Sequence, residues 1–255
     1  MVNHTFKQSL EKSIDFNQGL KSLVKLGNDL MKKVIIAIDG PAASGKSTTA
    51  RLLAQRLGYV YLDTGAMYRA CALRAYRLGI AVDDVERVAA MVDTIVLRID
   101  FTAGVNRVFL DGEDVSEQIR TPEISELASA ISALPPVRQK MVELQRRIAQ
   151  GGGFILDGRD IGSYVFPNAE IKFFLTADPD ERARRRQLEL AAKGVKASLE
   201  EVRADLLQRD MNDRSRALAP LVQASDAILI DTTGLSIDAQ VEKLRQIALQ
   251  RLETL

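Results

Sequence analysis

Gly40-Pro41-Ala42-Ala43-Ser44-Gly45-Lys46-Ser47 places a glycine, four residues and then Gly-Lys-Ser in a row, which is the P-loop pattern. Its chemistry comes from the backbone. Gly40 and Gly45 allow a tight turn in which successive N–H groups point inward as an anion-binding nest. A helix opening at Lys46 adds the positive end of its dipole. Lys46 can reach β- and γ-phosphates, and the Ser47 hydroxyl can hold a magnesium ion, with Thr48 next to it closing the phosphate-binding stretch. An ordinary glycine turn has no need of Gly-Lys-Ser at this spacing, so the stretch reads as a phosphate cradle.

Two more stretches put polar residues at the ends of apolar runs. Phe154-Ile155-Leu156 leads into Asp157-Gly158-Arg159-Asp160, and Tyr59-Val60-Tyr61-Leu62 leads into Asp63-Thr64-Gly65-Ala66-Met67-Tyr68-Arg69. The carboxyl ends of strands in an open α/β sheet are where ligands bind. Asp157 there can stand near magnesium, directly or through water, and Asp63 is a second candidate. Arg159 can grip a phosphate, and Asp160 can accept a hydrogen bond from an amino group. The plainer alternative for this stretch is a capped turn with a local Arg–Asp pair.

Arginine is concentrated further on, with Arg182, Arg184, Arg185 and Arg186 in one stretch and Arg209, Arg214 and Arg216 in the next. A transferring phosphoryl group spreads negative charge over its oxygens, and planar guanidinium groups suit it. For any single arginine, a solvated helix face paired with Asp180, Glu181, Glu189, Asp205 or Asp210 is an equal reading. As a cluster lying between core strands, they read as a mobile lid over phosphates.

The elements that must position these residues follow from apolar spacing. Val34–Ile38, Tyr59–Asp63, Phe154–Asp157, Ile171–Leu175 and Ala227–Ile230 are short apolar runs of the kind buried in a parallel sheet. Helical spacing follows Ser47, runs from Asp63 to about Leu78, and recurs at 83–93, 178–193, 199–216 and 236–252. This alternation implies an α/β fold, a parallel sheet with right-handed crossovers. Between the second and third core strands the pattern changes. Ile95–Ile99 and Arg107–Leu110, joined by a glycine-containing loop and followed by a turn at Asp111-Gly112-Glu113, read as a small inserted antiparallel sheet. Ser125–Leu134 reads as a helix broken by Pro135-Pro136, with a second helix over Val137–Gln150.

Composition narrows the rest. The 255 residues are 46% hydrophobic and 27% charged, as in a soluble globular chain. A net charge of +1 gives nucleic-acid binding no support. Cys71 is the one cysteine and His4 the one histidine, which excludes an intrachain disulfide, a multi-cysteine zinc site and histidine catalysis, and fits a reducing, cytoplasmic setting. No apolar run is long enough to span a membrane. Residues 1–30 stand apart as either an amphipathic helix or a floppy arm, dispensable for chemistry and without the features of a signal peptide. Met31, just before the first strand, offers an alternative start.

Together, IDGPAASGKST, YLDTGAMYR, GEDVSEQIRT, ASAISALPPVR, LDGRDIG and QRDMNDRSRALAPL resemble the bacterial-type cytidylate kinase family over about Lys33 to Leu252. The resemblance implies a P-loop NTPase fold with an enlarged acceptor-binding insert and a helical lid. It divides the chain into an extension at 1–30, a core at 31–66, 151–181 and 217–255, an insert at 67–150 and a lid at 182–216. It implies transfer of the ATP γ-phosphate to CMP or dCMP with magnesium, and Arg69, Arg159 and Arg216 as the clamp on the CMP phosphate. Ser129, Arg138 and Asp160 would read cytosine. Thr64, Arg209 and Asp213 would lie around the sugar and acceptor phosphate. Lys46, Arg185 and Arg186 would attend the transferring group. Ala42-Ala43 fills loop positions where glycine is also common in that family, and Ser47-Thr48 supplies two hydroxyls after the lysine. Other readings are a P-loop kinase acting on UMP or a non-nucleotide, and a nucleotide-dependent switch. With no coiled coil or exposed apolar repeat, a monomer is expected.

Overall fold

Strand β1, Ile35–Asp39, is buried along its whole length, and its five residues open the core. The computed structural model describes residues 32–102 and 105–255. The readings of residues 1–31 and of the glycine-containing loop at 103–104 fall outside them. In chain order, β1 is followed by α1 (Lys46–Leu57), β2 (Val60–Asp63), α2 (Thr64–Arg77) and α3 (Val85–Asp93). Next come β3 (Leu97–Thr102), β4 (Val105–Leu110), β5 (Glu113–Asp114), a 3₁₀ turn at Gln118–Arg120, α4 (Pro122–Ile131) and α5 (Pro135–Ile148). The chain then forms β6 (Phe154–Gly158), β7 (Ile171–Thr176), α6 (Pro179–Ala192), α7 (Leu199–Ser215), β8 (Ile228–Asp231) and α8 (Ile237–Thr254).

The large sheet has the order β2-β6-β1-β7-β8, with every pairing parallel. Ile36, Ile38, Leu62, Ile155, Leu156 and Leu175 are fully buried in it, which is why these strands read as continuous apolar runs. The register brings the polar strand ends together: Asp39 lies opposite Gly158, and Asp63 opposite Asp157. The second sheet, β3-β4-β5, is antiparallel and small, as the sequence reading expected. Asn106 on β4 ties it to β2, accepting from the Asp63 N–H at 2.7 Å and donating to the Tyr61 carbonyl at 2.8 Å.

Local chemistry moved some boundaries. The helix expected from Ser125 begins at Pro122, because the Thr121 hydroxyl caps the Ile124 N–H and proline suits the first helical turn. Proline in the first helical turn likewise lets Pro135-Pro136 open α5 instead of merely breaking α4, here after Leu134 and with no side-chain cap. After β6 the chain makes a short π-turn, Ile161–Val165, which apolar spacing does not signal. Asp39 holds that turn, accepting from the Ile161 and Gly162 N–H groups at 2.8 and 2.7 Å. Helices α6 and α7 pack through Ala183, Val202 and Leu206, against which Ala42 and Ala43 of the glycine loop also rest. Among the described residues no helix is long and apolar enough to cross a membrane.

Candidate active site

The glycine loop joins β1 to α1, and both of its glycines sit at backbone angles that side chains rarely adopt. Gly40 sits at φ +151°, and a Cβ there would lie 2.1 Å from the Leu175 carbonyl oxygen. Gly45 sits at φ +86°, and a Cβ there would lie 2.7 Å from Gln240 Oε1. Ala43 is held at φ 59°, a strained angle for a side chain that glycine would adopt freely. Lys46 is buried, and its Nζ donates to the Pro41 carbonyl at 2.9 Å, closing the loop on itself. Burial, with Arg159 nearby, lowers the Lys46 pKa to about 7.

Asp157, at the end of β6, anchors the floor. Its carboxylate accepts from the Ser47 hydroxyl at 2.5 Å and the Tyr61 hydroxyl at 2.9 Å, and its carbonyl accepts from Thr64 at 2.6 Å. Burial, reinforced by Asp63, raises its pKa. Asp63 caps α2 through the Ala66 N–H at 2.9 Å and pairs with Arg69 at 2.9 Å. Among the described residues no group of three or more His, Cys, Asp or Glu gathers into an all-protein metal cage. Ser47 and Asp157 instead set two hard oxygens side by side, the kind of partial site that magnesium completes with phosphate oxygens and water.

Two ion pairs form one wall. Arg138 of α5 donates to Asp160 at 2.5 Å, with side-chain exposures of 1% and 5%. Arg138 also donates to the Ser132 carbonyl at 3.1 Å, and its guanidinium lies 5.4 Å from the centre of the Tyr68 ring. Arg159 donates through Nε to Asp213 at 2.7 Å, and Arg216 stands 3.5 Å from the other oxygen of the same carboxylate. Burial works against the Asp213 carboxylate, but Arg159 and Arg216 outweigh it and hold its pKa below the usual range. Arg69 Nε and Arg138 Nε are buried without an acceptor among the described residues.

The arginines of α6 and α7 divide by role. Arg182 is buried and pairs with Asp210 at 2.6 Å; it also donates to the Ala42 carbonyl at 3.2 Å, while Asp210 accepts from the Ala42 N–H at 3.3 Å. This pair braces the glycine loop and lines neither cavity described below. Arg184 pairs with Glu181 on the surface. Arg185 is tied to Glu181 at 3.0 Å and to Thr232 through 3.1 and 2.7 Å bonds. Arg186 pairs with Glu189 at 2.9 Å and Arg209 with Asp205 at 3.0 Å.

Two adjoining cavities meet at the glycine loop. The first, of about 280 Å³, gathers Ala42, Ala43, Lys46, Ser47, Asp63, Thr64, Arg69, Ser129, Arg138, Asp157, Arg159, Asp160, Arg186, Arg209, Asp213 and Arg216. The second, of about 520 Å³, shares Ala43, Lys46, Ser47, Asp63, Arg69 and Arg186 with it and adds Gly45, Thr48 and Arg185. Of the residues singled out from sequence, Gly40, Pro41, Ser44, Arg182, Arg184 and Arg214 line neither; the first three shape the loop from behind. Tyr68, Ser125 and Ser132 line the first cavity and were not singled out, and Glu189, expected only as an arginine's partner, lines it too. Spacing could have found most of them. Tyr68 is four residues after Thr64, and Ser125, Ser129 and Ser132 recur at i, i+4 and i+7 on one helix face.

Residues 36–250 match a family model described as cytidylate kinase. Among curated relatives, the cytidylate kinase of Desulfitobacterium hafniense (strain Y51) is 50% identical over 225 residues, covering 88% of this chain and 97% of that one. That of Syntrophotalea carbinolica is 52% identical over 220 residues, covering 86% and 94%. That of Symbiobacterium thermophilum is 49% identical over 217 residues, covering 85% and 96%.

Proposed function

The chain belongs to the cytidylate kinase family, and from that premise we propose that it transfers the γ-phosphate of ATP directly to CMP or dCMP, giving the diphosphate and ADP. The observation that carries this reading is the pair of cavities that share Lys46 and Ser47. In-line transfer requires a donor and an acceptor site that meet at the group being moved.

In this reading the loop N–H groups from Ala43 to Thr48 receive the ATP phosphates, with Gly40, Pro41 and Ala42 shaping the loop around them, and Lys46 stays with the transferring group. Arg69, Arg159 and Arg216 hold the CMP phosphate; support comes from their shared cavity and from the Arg69 Nε left without an acceptor. Thr64, Arg209 and Asp213 lie around the sugar and acceptor phosphate. Ser129, Arg138 and Asp160 read the base. Arg138 engages Asp160 Oδ2, and Oδ1 is the acceptor for the cytosine amine. Uracil would present a carbonyl there, acceptor to acceptor, and an unpaired buried polar group discriminates strongly.

Ser47 and Asp157, with Asp63 as a further candidate, would hold magnesium, which when bound supplies positive charge to neutralise the phosphates. Arg185 and Arg186 add to that charge stabilisation from α6. No dedicated base is needed where the acceptor phosphate is itself charged. We assign residues 31–66, 151–181 and 217–255 to the core, 67–150 to the acceptor insert and 182–216 to a lid whose closure excludes water. We further propose that the enzyme works as a cytoplasmic monomer, without nucleic acid or membrane as a partner. Incubation with γ-labelled ATP, magnesium and CMP tests the reaction. Label is expected in the β-phosphate of CDP, and label appearing only as free phosphate would reject acceptor phosphorylation.

A further inference from the structure

Six cations line the second cavity, Lys46, Arg69, Arg120, Arg185, Arg186 and Lys193, against two carboxylates. Five of the six are already engaged. Lys46 donates to a carbonyl, Arg69 pairs with Asp63, Arg185 with Glu181, and Arg186 and Lys193 both with Glu189. Arg120 has no hydrogen bond or ion pair from its side chain among the described residues. It comes from a different part of the chain from the other five, the 3₁₀ turn between β5 and α4.

That turn is built to hold Arg120 in place. Ile119 beside it is fully buried. Gln118 is held by Arg77, which also grips both oxygens of Glu113. Thr121 on the other side caps α4, whose first turn carries Ser125 to the same cavity. A backbone fixed at three neighbouring points presents an exposed guanidinium that pairs with no carboxylate among the described residues. We infer that Arg120 is a binding residue for the polyphosphate of the nucleotide held at the glycine loop, a charge-assisted contact delivered from the acceptor side of the cavity. The inference rests on the second cavity being the ATP site.

ATP affinity measured without acceptor, on the full chain, tests it: wild type, Arg120→Gln and Arg120→Lys are titrated with ATP and magnesium, and CMP affinity and thermal midpoint are measured beside them. Loss of one charge-assisted contact is expected to weaken ATP binding about 10-fold in Arg120→Gln and much less in Arg120→Lys. CMP affinity and the thermal midpoint should stay within error. ATP affinity unchanged in Arg120→Gln would overturn the inference, as would a loss confined to CMP. Failure of the wild type to bind ATP would instead remove the reading beneath it, so the two failures are told apart.

Discussion

Asp160→Asn keeps the shape of the base-reading wall and removes its charge. Arg138 and Asp160 stand 2.5 Å apart at 1% and 5% side-chain exposure. Without the carboxylate, the buried guanidinium keeps the Ser132 carbonyl at 3.1 Å and the Tyr68 ring face at 5.4 Å. Breaking a buried ion pair costs about 3–5 kcal/mol, and an amide oxygen that still accepts one bond points to the lower end, about 3 kcal/mol. For a chain of this size that is a fall in thermal midpoint of about 6–12 °C. At the substrate, a neutral acceptor replaces a charged one and the new amide N–H₂ competes for its place, so kcat/KM for CMP should fall about 10²-fold. In the proposed arrangement the ATP phosphates lie beyond this wall, so KM for ATP should change by less than about 3-fold. Steady-state kinetics with each nucleotide varied in turn, beside a thermal melt, give all three numbers. Equal losses for CMP and ATP, or unaltered CMP kinetics in a folded variant, would refute the reasoning.

Lys46→Ala should lower turnover about 10³-fold at every CMP concentration, since charge at the transferring group is lost while the acceptor wall is intact; turnover near wild type would overturn the role given to the loop. Arg182→Met should reduce stability by about 3–5 kcal/mol, because it leaves Asp210 buried without its cation and removes the donor to Ala42. Denaturant unfolding measures this, and a loss below about 1 kcal/mol would mean the brace is dispensable. Asp39 gives a pH test. Burial lifts its folded pKa from 3.8 to about 7, so the folded chain holds the extra proton between those values. Its contribution is therefore full below about pH 4 and declines as pH rises to about 7, and Asp39→Asn should remove about one proton of slope from stability across that window. An unchanged slope would mean that the two N–H donors keep the carboxylate ionised throughout.

Much of this was legible in the sequence because strong local rules set it. The parallel strands are buried on both faces, so they read as apolar runs, and the glycine loop needs particular residue types at fixed spacing. Helix starts were less legible. Thr121-Pro122 begins a helix through a side-chain cap and Leu134-Pro135 through proline in the first turn, and apolar spacing registers neither. The π-turn after β6 depends on Asp39, more than a hundred residues earlier, so no local window contains its cause. The arginine cluster divided only in three dimensions. Arg182 and Arg186 are four residues apart on one helix, yet the first braces the loop from behind while the second faces both cavities. Arg120 lies within GEDVSEQIRT, but a single arginine in a turn does not by its type or spacing show which cavity it faces.

The most direct test of the central claim is the rate of ADP release from ATP and magnesium with CMP, dCMP, UMP and AMP offered separately. Strong turnover is expected with CMP and dCMP and little with UMP or AMP: Asp160 pairs with an amine that uracil lacks, and adenine, which has an amine, is a larger two-ring base without cytosine's ring carbonyl. Equal turnover with UMP would contradict the assignment of Ser129, Arg138 and Asp160 to cytosine. Turnover with none of the four, despite ATP binding, would contradict the proposed reaction itself.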